Sequence, residues 1–180
     1  QMAGLERASA HLREIIEELD EMMDTMFSTT FKSVKSEFSR VFDLLFNGGS
    51  AELDLVEEGG DRIGVEITAR PPGKRAGSLS MLSGGERSLT AVALIFAVMR
   101  ISPTPFCVLD EVDAMLDEAN VGRFRRMLRE LARETQFVII THNKQTMGRA
   151  DALYGVTMQE RGVSQVVSVR LEDVDETEAA

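Results

Sequence analysis

A single cysteine, Cys107, occurs among the 180 residues, and it lies inside an apolar run. No disulfide framework can form, so the expected setting is reducing and intracellular. Two histidines and one cysteine leave little material for a soft-metal site. Long apolar runs are also missing. The longest, Ala91 to Met99, is far too short to cross a bilayer, and no signal-peptide pattern opens the chain. Positive charge is in deficit, with 20 Lys and Arg against 30 Asp and Glu and a formal net charge of −10. Such a surface field repels nucleic acid, which argues against a self-sufficient binder built on clustered Lys and Arg. It leaves room for a chain that forms one wall of a larger DNA-binding assembly. No internal repeat occurs and no Met stands at the start; Gln1 opens straight into helical sequence, which reads as a fragment or a processed chain.

The remainder is ordinary material for one globular domain with a helical extension, since 43% hydrophobic residues can supply a core but 180 residues cannot supply two full domains. Leu5, Leu12, Leu19 and Met26 recur every seven residues with Ala8, Ile15 and Met22 between them. That three-four stripe predicts an amphipathic helix and suits either the end of a coiled coil or a plain surface helix. A second stripe, Phe27, Phe31, Val34, Phe38, Val41, Phe42, Leu45 and Phe46, stops at Asn47-Gly48-Gly49, residues that accept the left-handed backbone of a helix end. The period then changes. Ala51, Leu53 and Leu55 alternate with acids, and Ile63, Val65 and Ile67 alternate again after a polar turn, which predicts an antiparallel hairpin with one buried face. Arg70 to Ser80, holding Pro71, Pro72 and Gly73, reads as a loop whose Lys74 and Arg75 form a small basic island.

The second half predicts a helix from Glu86 to Arg100, a strand from Phe106 to Leu109, a helix from Asn120 to Arg133, a strand from Phe137 to Ile140 and a short helix after Asn143. Two nearly all-apolar strands separated by an amphipathic helix are what a parallel sheet flanked by helices produces. A closing hairpin is expected from Val156 to Val169 around Arg161 and Gly162, and an acidic, disordered tail over 171–180.

Three short segments carry chemistry. Phe106 to Glu111 is a strand that ends in two carboxylates, Asp110 and Glu111, at the strand's carboxyl end, where open parallel sheets bind ligands. A hard divalent ion on nucleotide phosphates needs a carboxylate such as Asp110, and an attacking water benefits from a neighbouring base such as Glu111. An acidic cap at a surface loop would look the same. Leu82-Ser83-Gly84-Gly85-Glu86 offers a helix N-terminus with exposed backbone N–H groups to an anion. A plain capping box accounts for Ser83 and Glu86, but not for two successive glycines. The second strand ends at Thr141-His142.

In this order the three segments resemble the ATP-binding-cassette class of ATPases: signature motif, Walker B strand with catalytic glutamate, and switch histidine, with Asp113, Ala114, Leu116 and Asp117 matching the D-loop. The wording of Leu82 to Thr90, Val108 to Val121 and Ile139 to Met147 is similar to the bacterial structural-maintenance-of-chromosomes (SMC) family, as are Leu45 to Gly49 and Pro71 to Lys74. The resemblance covers nearly the whole chain.

It implies an α/β fold: the C-terminal lobe of an ABC-type, P-loop NTPase-like head, entered by a coiled-coil helix over 1–26, with the lobe over 27–170. Ser83, Gly84, Gly85 and Glu86 would press on the γ-phosphate of ATP held mainly by a facing head. Asp110 would help hold Mg²⁺, Glu111 would polarise water, Asp117 would communicate across the head interface, and His142 would contact the γ-phosphate in its own head. The implied partners are the N-terminal half of the same head, a second SMC head in a homodimer, a kleisin subunit and DNA through the assembled complex, in the cytoplasm at the nucleoid and without a membrane. No G-x-x-x-x-G-K-[S/T] phosphate loop occurs, since Arg75 follows Gly73-Lys74. The chain alone is therefore expected to be inactive. A related coiled-coil DNA-repair ATPase is the nearest alternative. A transporter's nucleotide-binding subunit and a non-catalytic interaction module fit less of the sequence.

Overall fold

The computed structural model describes residues 2–59 and 61–170 and divides at Pro103 and Thr104 into two compact units. The acidic tail expected over 171–180 lies outside the described residues.

In the first unit one helix, α1 (Met2–Phe46), carries both apolar stripes without a break. Its two ends live in different surroundings. Phe38, Val41, Phe42, Leu45 and Phe46 are buried, whereas Leu12, Ile15, Leu19, Met22 and Met26 stand in the open, Leu12 at 60% exposure. The phenylalanines stack on one another along the helix: Phe42 and Phe46 lie 4.0 Å apart between ring centroids, and Phe38 meets Phe42 edge-on at 6.3 Å. Such pairs add about 0.5–1.5 kcal/mol to the burial of the rings. Helix α1 ends where the sequence reading placed the end. Asn47, Gly48 and Gly49 all take positive φ, and the Gly48 N–H bonds back to the Asp43 carbonyl at 3.0 Å. A Cβ on Gly49 would stand 2.4 Å from the Arg70 carbonyl oxygen, so only glycine fits there.

Strands β1 (Ser50–Glu58) and β2 (Asp61–Arg70) form the expected hairpin, with Ala51 opposite Ala69 and Leu53 opposite Ile67. The strands run further than the sequence alternation, so the turn is tighter than expected. The segment read as a loop also contains strand β3 (Gly77–Ser78), which pairs with β2, and a 3-10 turn at Leu79–Met81. Two small residues make a strand too short to show a period. Helix α2 (Gly84–Ile101) then buries Leu89, Val92, Ala93, Phe96, Ala97 and Met99. Its last turn is tied to α1 by an ion pair of 2.5 Å from Arg100 Nε to Glu37 Oε1.

The second unit opens with β4 (Phe106–Asp110), α3 (Glu118–Leu131) and β5 (Gln136–Ile140). Strands β4 and β5 pair in parallel, Leu109 opposite Ile139 and Asp110 opposite Ile140, as expected for strands joined by a crossover helix. Helix α3 buries Val121, Phe124, Met127 and Leu128, and among the strand residues Leu109 is buried. Among the described residues the parallel sheet is small, with two strands. One face differs from the expectation of strands buried on both sides. Phe106, Val108, Val138 and Ile140 share that face and are each about half exposed or more. Apolar identity reports what a strand is built to bury, and among the described residues these four side chains stay open to solvent. A short helix, α4 (Lys144–Met147), follows, and β6 (Ala152–Glu160) pairs antiparallel with β7 (Val163–Arg170) around Arg161 and Gly162.

Candidate functional site

The signature segment lies in the first unit. Ser83 is the N-cap of α2 in extended backbone, and it forms a full capping box with Glu86. The Ser83 N–H donates to Glu86 Oε2 at 3.0 Å, the Ser83 hydroxyl donates to the same oxygen at 2.8 Å, and Lys74 Nζ reaches the carboxylate at 2.9 Å. The Lys74 ammonium first, and the Ser83 N–H second, hold the Glu86 carboxyl below its ordinary value. The basic island of the Pro-Pro-Gly loop thus has a definite partner. Sequence reasoning saw the island but not the pairing, because twelve residues separate Lys74 from Glu86 and no period links them.

Capping accounts for Ser83 and Glu86 here, but not for Gly84 and Gly85. Both sit in the first helical turn and neither has the positive φ that would require glycine. Their N–H groups belong to the set that a helix start leaves without intrahelical partners. A bare, donor-rich and positively polarised turn is suited to an anion.

The second unit holds the other predicted residues at the carboxyl ends of β4 and β5. Asp110 ends β4 and faces solvent. Glu111 follows it with φ 47°, a left-handed backbone that costs a non-glycine residue about 1–2 kcal/mol. The surroundings that hold it there are visible. The Glu111 N–H extends the strand ladder to the Ile140 carbonyl at 2.9 Å, and the Glu111 carbonyl accepts the Ala114 N–H at 3.1 Å. This geometry brings Glu111 Oε1 to 3.8 Å from His142 Nδ1, with both side chains open to solvent. Two residues distant in sequence therefore meet at one sheet edge. Asp117 lies further along and caps α3, accepting from the Asn120 N–H at 2.7 Å.

Asp113 matches the D-loop by sequence and carries no further signal there. It is 1% exposed and is the one buried charged residue among those described. The Thr141 hydroxyl straddles its two oxygens at 2.9 and 2.8 Å, and the Thr146 hydroxyl donates to Oδ2 at 2.6 Å. No group of three or more His, Cys, Asp or Glu is placed to hold a metal ion among the described residues. A hard ion with a single carboxylate from Asp110, and its other ligands from phosphate, water or another polypeptide, fits that donor set.

Comparison with known proteins gives this geometry a family. Residues 5–165 match the model described as the RecF/RecN/SMC N terminal domain. The Chromosome partition protein Smc of Bacillus subtilis is 53% identical over 178 residues, which is 98% of this chain and 15% of that protein. The protein of the same name from Myxococcus xanthus is 50% identical over 174 residues, 96% of this chain and 14% of that one. This chain thus spans about one seventh of the length of these relatives.

Among solved structures, an SMC head bound to the C-winged helix domain of ScpA superposes with a TM-score of 0.76 at 43% identity, covering 83% of this chain and 46% of that one. The Smc head domain with a coiled coil and joint from Pyrococcus yayanosii gives 0.79 at 42%, covering 88% of this chain and 31% of that one. The matching family is described as an N-terminal domain, which corrects the C-terminal half expected from the resemblance and the absent phosphate loop. That point leaves the fold and the family untouched: the chain belongs to the structural-maintenance-of-chromosomes family and has the fold of a segment of its ATPase head.

Proposed function

We propose that this chain supplies the signature motif, Walker B strand, D-loop and switch histidine of an ATP-hydrolysing SMC head, and that ATP sandwiched between two heads drives their engagement and the organisation of DNA. The observation that carries the reading is the pairing of Glu111 with His142 at the carboxyl ends of two parallel strands, with Glu111 held in a left-handed backbone. Backbone strain of this kind persists where the surroundings enforce it, and active sites are a common place for it.

In this reading Glu111 polarises the attacking water and His142 contacts the γ-phosphate bound in its own head. Asp110 is the protein ligand to Mg²⁺, which would neutralise developing phosphate charge. Ser83, Gly84, Gly85 and Glu86 present N–H donors to the γ-phosphate of the facing head's ATP, and Asp117 signals across the same interface. Positioning and charge stabilisation supply the catalysis. Because the sequence holds no phosphate loop, a second polypeptide segment of the same head must provide it. The exposed stripe from Leu12 to Met26 suits the end of an antiparallel coiled coil over 1–26, and the open face of β4 and β5 suits the missing segment.

The relatives' name and the ScpA-bound neighbour support three further assignments: a kleisin partner, DNA contacted through the assembled complex, and action at the nucleoid in the cytoplasm. A neighbour described by ATP-driven dimerization and DNA stimulated activation of SMC ATPases supports the pairing of heads. The deciding experiment mixes this chain with the segment of the head that carries the phosphate loop and measures ATP hydrolysis. Turnover is expected only in the mixture and is sharply reduced by Glu111→Gln, while ATP-dependent association of heads persists. Full turnover by this chain alone would overturn the reading.

A further inference from the structure

Asp113 joins the two loops that the proposed reaction uses, and it does so from inside the protein. The carboxylate belongs to the turn that follows Glu111, in which the Ala114 N–H bonds to the Glu111 carbonyl and the Leu116 N–H bonds to the Asp113 carbonyl, each at 3.1 Å. Its hydrogen-bond donors come from the other loop. Thr141 directly precedes His142, and its hydroxyl both donates to Asp113 and accepts the Asn143 N–H at 2.9 Å. Thr146 is a buried residue of α4, the helix that begins just after His142. An acceptor-only carboxylate that takes hydroxyl donors from two places on one loop fixes that loop's position and tilt. The Glu111 N–H bond to the Ile140 carbonyl at 2.9 Å adds a backbone tie between the two strand ends.

A buried carboxylate is costly to place, and a fold that needed only packing there would be served by an apolar side chain. From this geometry we infer that Asp113 is a positioning residue for ATP hydrolysis. It locks the loop bearing Glu111 to the loop bearing His142, so that the water-polarising carboxylate and the γ-phosphate-contacting imidazole keep one mutual register. Thr141 and Thr146 are its working partners. The inference rests on the roles proposed above for Glu111 and His142. It adds what holds them, a function distinct from that of Asp117 on the same segment, whose side chain is engaged at the start of α3.

The test uses the intact protein and compares wild type with Asp113→Asn, Thr146→Val, Thr146→Ser and Glu111→Gln. Two quantities are read: ATP-dependent association of heads by site-specific cross-linking, and ATP turnover per associated pair. Normalising to associated pairs removes any loss of folded protein, so a merely structural role would leave the ratio unchanged. Asp113→Asn and Thr146→Val are expected to lower turnover per pair by about tenfold to a hundredfold, the scale on which misplaced catalytic groups act, with the KM for ATP little altered. Thr146→Ser, which keeps the hydroxyl, is expected to retain wild-type turnover. If Asp113→Asn does not fold, Thr146→Val decides alone on the same ratio. Unchanged turnover per pair in the variants that associate, or equal losses in Thr146→Val and Thr146→Ser, would overturn the inference. Glu111→Gln separates the two levels: if it leaves turnover intact, the proposed site itself is wrong. If it abolishes turnover while Thr146→Val does nothing, only the role of Asp113 falls.

Discussion

At the scale of single residues, Glu86 shows how a motif can carry two duties. Its carboxylate closes the capping box of α2 and pairs with Lys74, and that pairing holds its pKa below the ordinary carboxylate value. A depressed folded pKa means that the charged form is favoured by folding, so the associated stability is complete above the unfolded value and is lost as pH falls through the folded one. Glu86→Ala is therefore expected to cost about 1 kcal/mol in urea denaturation at neutral pH. The gap between variant and wild type should narrow only once pH drops below the ordinary carboxylate range. A gap that stayed constant to pH 2 would show that the charge on Glu86 contributes nothing.

Gly49 makes a harder demand, with φ 89° and a carbonyl oxygen 2.4 Å from where a Cβ would sit. Gly49→Ala should destabilise the head by roughly 1–3 kcal/mol, visible as a lower denaturation midpoint.

At the scale of elements, the sequence was legible wherever a period ran long enough to be counted. The stripe through Phe27, Phe38, Phe42 and Phe46 and the glycines after it located both the body and the end of α1, and Ser83 marked the start of α2. Strand β3 escaped because Gly77 and Ser78 have no apolar period and pair only through backbone. Asp113 escaped as a hub for a different reason: its partners Thr141 and Thr146 lie 28 and 33 residues away, and hydroxyl donors leave no hydrophobic trace. The outer half of α1 is the converse case, where the pattern was legible but the occupant of its apolar face was not.

Leu12 and Leu19 are 60% and 46% exposed in this chain, though they belong to the apolar stripe that recurs every seven residues. In the intact protein, Leu12→Glu combined with Leu19→Glu should lower the thermal midpoint followed by helical circular dichroism, since each buried leucine contributes roughly 1.5–3 kcal/mol. An unchanged midpoint would mean that the stripe faces water in the complete protein as well.

At the scale of the whole molecule, the described residues leave a patch of apolar surface open to solvent. Phe106, Val108, Val138 and Ile140 form one continuous face of a two-stranded sheet, and a sheet of this size needs a further layer for independent stability. The isolated chain is expected to bind a hydrophobic fluorescent dye, and the segment carrying the phosphate loop should displace that dye on mixing. Val108→Glu should block the displacement while leaving the helical signal of the chain intact. Dye binding that persisted in the mixture would place the missing segment elsewhere.

The Glu111 N–H bond to the Ile140 carbonyl carries the β4–β5 ladder one residue past the strand end. It makes the amide proton of the proposed catalytic residue a local clock. While the strand ends stay zipped, that proton is shielded from exchange with solvent deuterium, and each opening of the loop exposes it. Its exchange rate in an assembled head should therefore report how often the carboxylate leaves its working position, a quantity that steady-state turnover cannot separate from chemistry.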